Sequence, residues 1–326
     1  MKKVEEPTVR KTQTVATGRI PWQLVLRLVA VIVVMSVVVL TGQELKHVPP
    51  AAPTYIVLHT FVGSPTDGAV PYAGLTPDGA GNLYGTTLYG GASGQSGTDG
   101  FGVVFKLSPT GTETVLYSFT GGADGAFPSA GLVRDAAGNL YGTTNGGGAH
   151  NLGVVFKLSP TGAETVLHSF TGGADGGGPR AGLLRDAARN LYGTTLNGGT
   201  SVNGPCAGGC GVVFKLSPCD SGYDFSVVYT FPGAAEGGNP EAGLIQDPVG
   251  NLYGTTGSLA PGYNVVFKLS PAGTETVLYS FVGGADGGTP YAGLVRDSAG
   301  NLYGTTVDGG DASCGGGCGV VFRLGP

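Results

Sequence analysis

Only 17 basic and 22 acidic residues occur among 326, and no long basic run follows residue 53. The positive footprint of a nucleic-acid binder is missing, so no nucleic-acid partner is expected. No His-Glu-x-x-His, nucleophile elbow or phosphate loop is present, which removes the usual signatures of zinc hydrolysis, acyl transfer and nucleotide binding. The four histidines are scattered. His47 lies in a Pro-rich stretch and His150 alone in a loop, while His59 and His168 fill a slot held in sister segments by Tyr117, Tyr229 and Tyr279. These gaps lead to the expectation of a non-enzymatic protein with no catalytic residue, metal or cofactor. The 63 glycines lack the Gly-X-Y period of collagen and therefore read as turn and close-contact residues.

What is present is repetition. Asn-Leu-Tyr-Gly-Thr-Thr recurs at Asn82–Thr87, Asn139–Thr144, Asn190–Thr195, Asn251–Thr256 and Asn301–Thr306, a tandem repeat of about 50 to 60 residues. Each copy is followed by Val-Val-Phe-Lys-Leu or, at Val320–Leu324, its Arg323 variant. Within one unit, an Ala-Gly phrase leads through Asp135-Ala-Ala-Gly138 into the hexapeptide. Asp opening a turn and Gly closing it is hairpin chemistry. Gly153–Leu158, Ser-Pro-Thr-Gly and Glu164–Phe170 form a second hairpin around a type I turn. Four strands, a to d, per repeat predict an all-β, five-bladed β-propeller of four-stranded blades. Ala-Gly at the start of strand a suits the crowded axis, where Gly permits close backbone approach.

The d phrase appears four times within the repeats and once before them, at Tyr55–Phe61. Residues 55–61 are therefore expected to pair with 320–324, complete the last blade and bury Val57 and Leu58, leaving no open edge. A β-solenoid is the competing architecture. The phrases GVVFKLSPTGTETVLYSFTGGADG and AGLVRDAAGNLYGTT resemble the Gloeo/Verruco (GloVer) tandem repeat of bacterial envelope proteins with varied anchors. That resemblance covers 55–326, implies an envelope location, and carries over no activity and no catalytic residue. Local departures are Arg189 in place of the turn Gly and a longer c–d turn at 217–226.

Residues 1–53 are compositionally distinct. A basic segment, 1–23, precedes an apolar run within 24–42, broken by Arg27 and Ser36; Leu24–Leu40 as a helix spans roughly 25 Å, close to a bilayer core. The expectation is one transmembrane helix acting as a signal anchor, with a cleaved signal peptide as the rival that would make the protein secreted. Basic residues before the run place the remainder outside the cytoplasm, on the bacterial inner membrane, behind a Pro-rich stalk at 43–53 and a repeat domain at 54–326.

Loops between strands b and c vary in length, whereas the a–b turns are uniform; variable loops on a rigid scaffold mark the working face. Between the repeated Pro and Ala stand Tyr72, Ser129, Arg180, Glu241 and Tyr291. Two aromatics and two opposite charges near a channel mouth suit a glycan or protein ligand, though tolerated variation at a loop end explains them equally. The d–a loops each carry an acid, Asp67, Asp124, Asp175, Glu236 or Asp286, read as a carboxylate that accepts local backbone N–H groups; a ring of carboxylates attracting a cation is the rival, without the alternating Asp/Asn ligands of a calcium loop. Lys106, Lys157 and Lys268 are expected to face Glu113, Glu164 and Glu275 across the c–d turn. Cys206 with Cys210 and Cys314 with Cys318 are expected as two local disulfides, a four-Cys zinc site being the rival; Cys219 is left over. The resulting expectation is a membrane-anchored, extracytoplasmic binding or scaffold protein. A glycoside hydrolase pairing Glu241 with Glu236 or Asp175, or a lectin, is the alternative.

Overall fold

The computed structural model describes residues 54–94, 99–199, 206, 208–257, 264–311, 313 and 315–326. The expected anchor at 24–42 and the stalk at 43–53 lie outside the described residues, as does Cys314. No helix among the described residues is long and apolar enough to cross a membrane. The chain divides into Met1–Ile56 and Val57–Pro326, and every strand among the described residues belongs to the second unit.

The described residues of that unit form six antiparallel sheets. Gly68–Ala69 (β1) pairs only with Tyr89–Gly90 (β4), enclosing Thr76–Pro77 (β2) and Leu83–Thr87 (β3) in sequence. The first repeat sheet runs β2-β3-β5-β6, with β5 at Val103–Leu107 and β6 at Glu113–Ser118. The second comprises β7 (Val133–Arg134), β8 (Leu140–Thr144), β9 (Val154–Leu158) and β10 (Glu164–Ser169). The third comprises β11 (Leu184–Arg185), β12 (Leu191–Thr194), β13 (Val212–Cys219) and β14 (Gly222–Thr230). The fourth comprises β15 (Ile245–Gln246), β16 (Leu252–Thr256), β17 (Val265–Leu269) and β18 (Glu275–Ser280). A three-stranded fifth sheet holds β19 (Val295–Arg296), β20 (Leu302–Thr305) and β21 (Val321–Leu324).

Each residue of the hexapeptide has a physical task. In the first a–b turn Asp78 Oδ1 accepts the backbone N–H of Asn82, while Oδ2 accepts Asn82 Nδ2 at 2.9 Å and the Tyr84 hydroxyl at 3.1 Å. The same three bonds recur at Asp135, Asp186, Asp247 and Asp297. Such charge-assisted bonds to a carboxylate hold the hairpin register, and they draw the Asp78 acid down to about 2, the Asn82 side chain contributing most. The glycine is required by packing: a Cβ on Gly142 would lie 2.6 Å from the Phe156 ring and 2.9 Å from Leu132. The first threonine ties sheets together, Thr86 donating to Ala130 O and Thr143 to Ala181 O at 3.0 Å each. The second accepts from strand c, as in Val154 N to Thr144 Oγ1 at 3.1 Å.

Junctions between successive sheets repeat one aromatic contact. Phe119 meets Phe156, Phe170 meets Phe214, Phe231 meets Phe267 and Phe281 meets Phe322, edge to face at 5.2–5.3 Å. Phe61 meets Phe105 in the same way at 5.0 Å. The d phrase before the repeats therefore makes the side-chain contact of a d strand on the first sheet.

It does not close the fifth sheet, which corrects the expected pairing. Residues 55–61 form no strand, β21 has no partner beyond β20 among the described residues, and Val57, Leu58 and Val321 are 60%, 43% and 82% exposed. The Ala-Gly contacts break at the same place. A Cβ on Gly131 would lie against Gly74 O, on Gly182 against Gly131 O, on Gly243 against Gly182 O and on Gly293 against Gly243 O, whereas a Cβ on Gly74 would meet nothing within 4 Å. No such contact joins the fifth unit to the first among the described residues. The expected Lys–Glu pairs are also corrected. Lys106 stands opposite Thr114 and Glu113 opposite Leu107, and neighbouring positions on a strand point to opposite faces. Lysines share a face with the repeated tyrosines instead, Lys215 and Lys268 lying 5.8 and 6.0 Å from the Tyr192 and Tyr253 rings.

Candidate functional site

The stacked Ala-Gly phrases determine what gathers beside them. Because Thr86, Thr143, Thr194 and Thr255 each donate to the alanine carbonyl of the next unit, the residue preceding each alanine is fixed beside its counterpart. Tyr72, Ser129, Arg180, Glu241 and Tyr291 consequently line one cavity of about 560 Å³, together with Leu88 and Asn145. Leu88 and Asn145 were not singled out from sequence. Their signal was available, since they follow the invariant Thr-Thr at a position occupied elsewhere by Leu196, Gly257 and Val307.

Inside the cavity Arg180 Nη1 donates to Glu241 Oε1 at 3.2 Å, and Ser129 Oγ reaches the Arg180 carbonyl at 3.4 Å. Both charged side chains remain partly exposed, so the pair orients the groups more than it stabilises the fold. Tyr291 lies over Gly257, where a Cβ would approach its ring to 2.9 Å. Burial, then the Glu241 and Asp308 charges, push its hydroxyl up, opposed by Arg180; it is a neutral hydrogen-bonding phenol at ordinary pH. A volume within the usual range for small-molecule sites, with aromatic faces and a few polar groups, is suited to binding a ligand of several hydroxyls.

The loop acids sit elsewhere. Asp67, Asp124, Asp175 and Asp286 accept the backbone N–H of Val62, Thr120, Thr171 and Val282 at 2.8–3.0 Å. Each also takes the ring group of its own d phrase, His59, Tyr117, His168 or Tyr279, at 3.0–3.1 Å. Glu236 instead ends a short 3-10 turn, Ala234–Glu236. Neither Glu236 nor Asp175 lines the cavity with Glu241, so the carboxylate pair imagined for glycoside hydrolysis is not assembled there.

Opposite these ring–acid pairs stands the first residue of the next unit's strand d. Glu113 faces His59 and Asp67, Glu164 faces Tyr117 and Asp124, and Glu275 accepts from Tyr229 at 3.0 Å. Burial, then Asp124, raises Glu164 to about 7. Phe225 takes this place in the third sheet and stacks on His168 at 3.8 Å; burial lowers the His168 pKa against the pull of Asp175.

Cys206 and Cys210 form a disulfide with Cα atoms 5.1 Å apart, packed with Val213, Phe231 and Leu244. Cys318 is also disulfide-bonded, and Cys219 is free at the end of β13. A stable disulfide belongs to an oxidising compartment, as expected of an extracytoplasmic domain.

The family described as Gloeobacter/Verrucomicrobia repeat matches residues 45–207 and 204–326. No curated protein matches the chain. A solved structure assigned as a gluconolactonase shares 16% identity over 71% of this chain and 69% of that one, with a TM-score of 0.44. A luciferin-regenerating enzyme shares 15% identity over 81% and 92% of the two chains, TM-score 0.43. The extracellular domain of a one-component system from B. thetaiotaomicron shares 11% over 80% of this chain and 28% of that one, TM-score 0.47. With two enzymes among these three, the expectation of a non-enzymatic protein is withdrawn. At such identities the likeness hands over no activity, substrate or residue.

Proposed function

Since the chain belongs to the Gloeobacter/Verrucomicrobia repeat family, we propose that residues 54–326 form a five-bladed β-propeller scaffold that binds a carbohydrate-class ligand outside the cytoplasm. One observation carries this reading: the five positions at which the repeats disagree line a single cavity. Tyr72 and Tyr291 offer ring faces to a sugar's C–H surface, while Arg180, Glu241, Ser129 and Asn145 offer donors and acceptors to its hydroxyls. In this reading the segment 24–42 anchors the protein in the membrane and the disulfide reflects export.

The test is a glycan array probed with the detergent-solubilised full chain, its Arg180→Ala/Tyr291→Ala variant, and a Lys157→Ala control. Binding that is lost in the double variant and retained in the control supports the cavity. Equal binding by all three proteins, or none by the wild type, overturns it. Released product should be followed in the same wells: turnover abolished by Glu241→Gln would make the cavity a hydrolytic site.

A further inference from the structure

We propose that His59, Asp67 and Glu113 form a binding site for a divalent transition cation of the zinc type, which staples the segment before the repeats onto the first sheet. One ligand atom from each residue lies within 4.8 Å of the others, and His59 Nε2 is already 3.1 Å from Asp67 Oδ2. Ligand atoms about 2.0–2.1 Å from a tetrahedral zinc are themselves about 3.3 Å apart. Imidazole and carboxylate are both zinc ligands, and a fourth position would remain for water.

Comparison among the repeats separates this cluster from its sisters. Where the first-to-second junction has Tyr117 and Thr120 around Asp124, this one has His59 and Val62 around Asp67. A phenol that donates to the acid is exchanged for an imidazole able to offer a lone pair. Among the described residues, the hydroxyl that occupies Asp124 Oδ1 has no counterpart at Asp67, whose Oδ1 accepts the adjoining Gly68 N–H. Asp67 is only 5% exposed, and Glu113 brings a second carboxylate whose Oε1 is buried with no hydrogen-bond partner, a state shared by Glu164 and Glu275, which have no imidazole beside them. A cation between the acids would satisfy that oxygen and join the His59–Asp67 segment to β6. The other His–Asp pair, His168 with Asp175, cannot do the same, because Phe225 rather than a carboxylate stacks against it. Sequence reading missed the cluster because its three members lie on different phrases, with Glu113 read as a lysine partner.

The experiment is isothermal titration of Zn²⁺ into the chelator-treated full chain in detergent, with thermal unfolding before and after. His59→Tyr installs the residue that sister repeats tolerate, and His168→Tyr is the control. The expected result is one site in the wild type and in His168→Tyr, weakened at least tenfold in His59→Tyr, with Zn²⁺ raising the melting temperature only of the first two. No saturable site, or unchanged affinity in His59→Tyr, overturns the proposal. Glu113→Gln, which keeps the shape of the side chain, should weaken binding as well; unaltered affinity there would remove Glu113 from the site.

Discussion

The a–b turns and the cavity mouth belong to the same repeats and follow opposite rules. At the turns, five Asp-Asn-Tyr networks agree in partner and nearly in distance. At the mouth, five equivalent positions carry Tyr72, Ser129, Arg180, Glu241 and Tyr291. A scaffold made by copying has one packing problem and solves it identically each time. Positions free of that problem are available for recognition, and the proposed site lies where the symmetry is broken.

The sharpest break of this comparison is in the core of the frame. Phe156 is fully buried against Phe119, and Phe156→Ala should cost about 3–5 kcal/mol in denaturant unfolding. Phe322, its counterpart in the fifth sheet, has a half-buried ring beside the open β21 edge, and its truncation should cost clearly less. Ser129→Ala at the mouth should stay within about 0.5 kcal/mol. Equal losses at Phe156 and Phe322 would mean that β21 is covered in solution.

Next in size is Gly142→Ala, whose Cβ meets Phe156 and Leu132; an overpacked core of this kind loses about 1–3 kcal/mol. Ala at Gly74, which has open space, should be tolerated, as thermal melts of the two variants will show.

A smaller, pH-dependent difference separates Glu164 from an ordinary surface acid. Its folded pKa, raised by burial and then by Asp124 to about 7, exceeds the usual 4.5. The folded state therefore holds its proton more tightly than the unfolded state. The associated stability is present below about pH 4.5 and is lost as pH rises through about 7. Glu164→Gln should flatten the fall in melting temperature across that interval, and an unaltered profile would show that Glu164 does not titrate there.

Smallest is Arg189, which stands in the left-handed region at φ 70° while the other units place Gly at φ 83–93°. It keeps the turn, donating its N–H to Asp186 O at 3.0 Å. Arg189→Gly should raise stability by about 0.5–1 kcal/mol by relieving the Cβ clash.

Much of the frame was legible because hairpin chemistry is local: Asp135 to Gly138, the Ser-Pro-Thr-Gly turns and the alternating strands state their partners within a few residues. The cavity positions were legible for another reason, since equal offsets in a repeat imply equal places around it. Closure was not legible. Tyr55–Phe61 carries the right pattern, but whether it reaches β21 depends on the rotation accumulated over five sheets, which no local phrase encodes. The Lys–Glu error was a matter of one register step: Glu113 pairs with Leu107, and that single position sends its carboxylate toward the neighbouring junction.

The central claim, that the asymmetric positions are the binding site, is tested most directly by the crystal structure of the repeat-bearing protein soaked with the strongest array glycan. The account expects ligand density between Tyr72 and Tyr291, with the sugar hydroxyls bonded to Arg180 and Glu241. Clear density on the uniform turn face, with the cavity holding none, would contradict it.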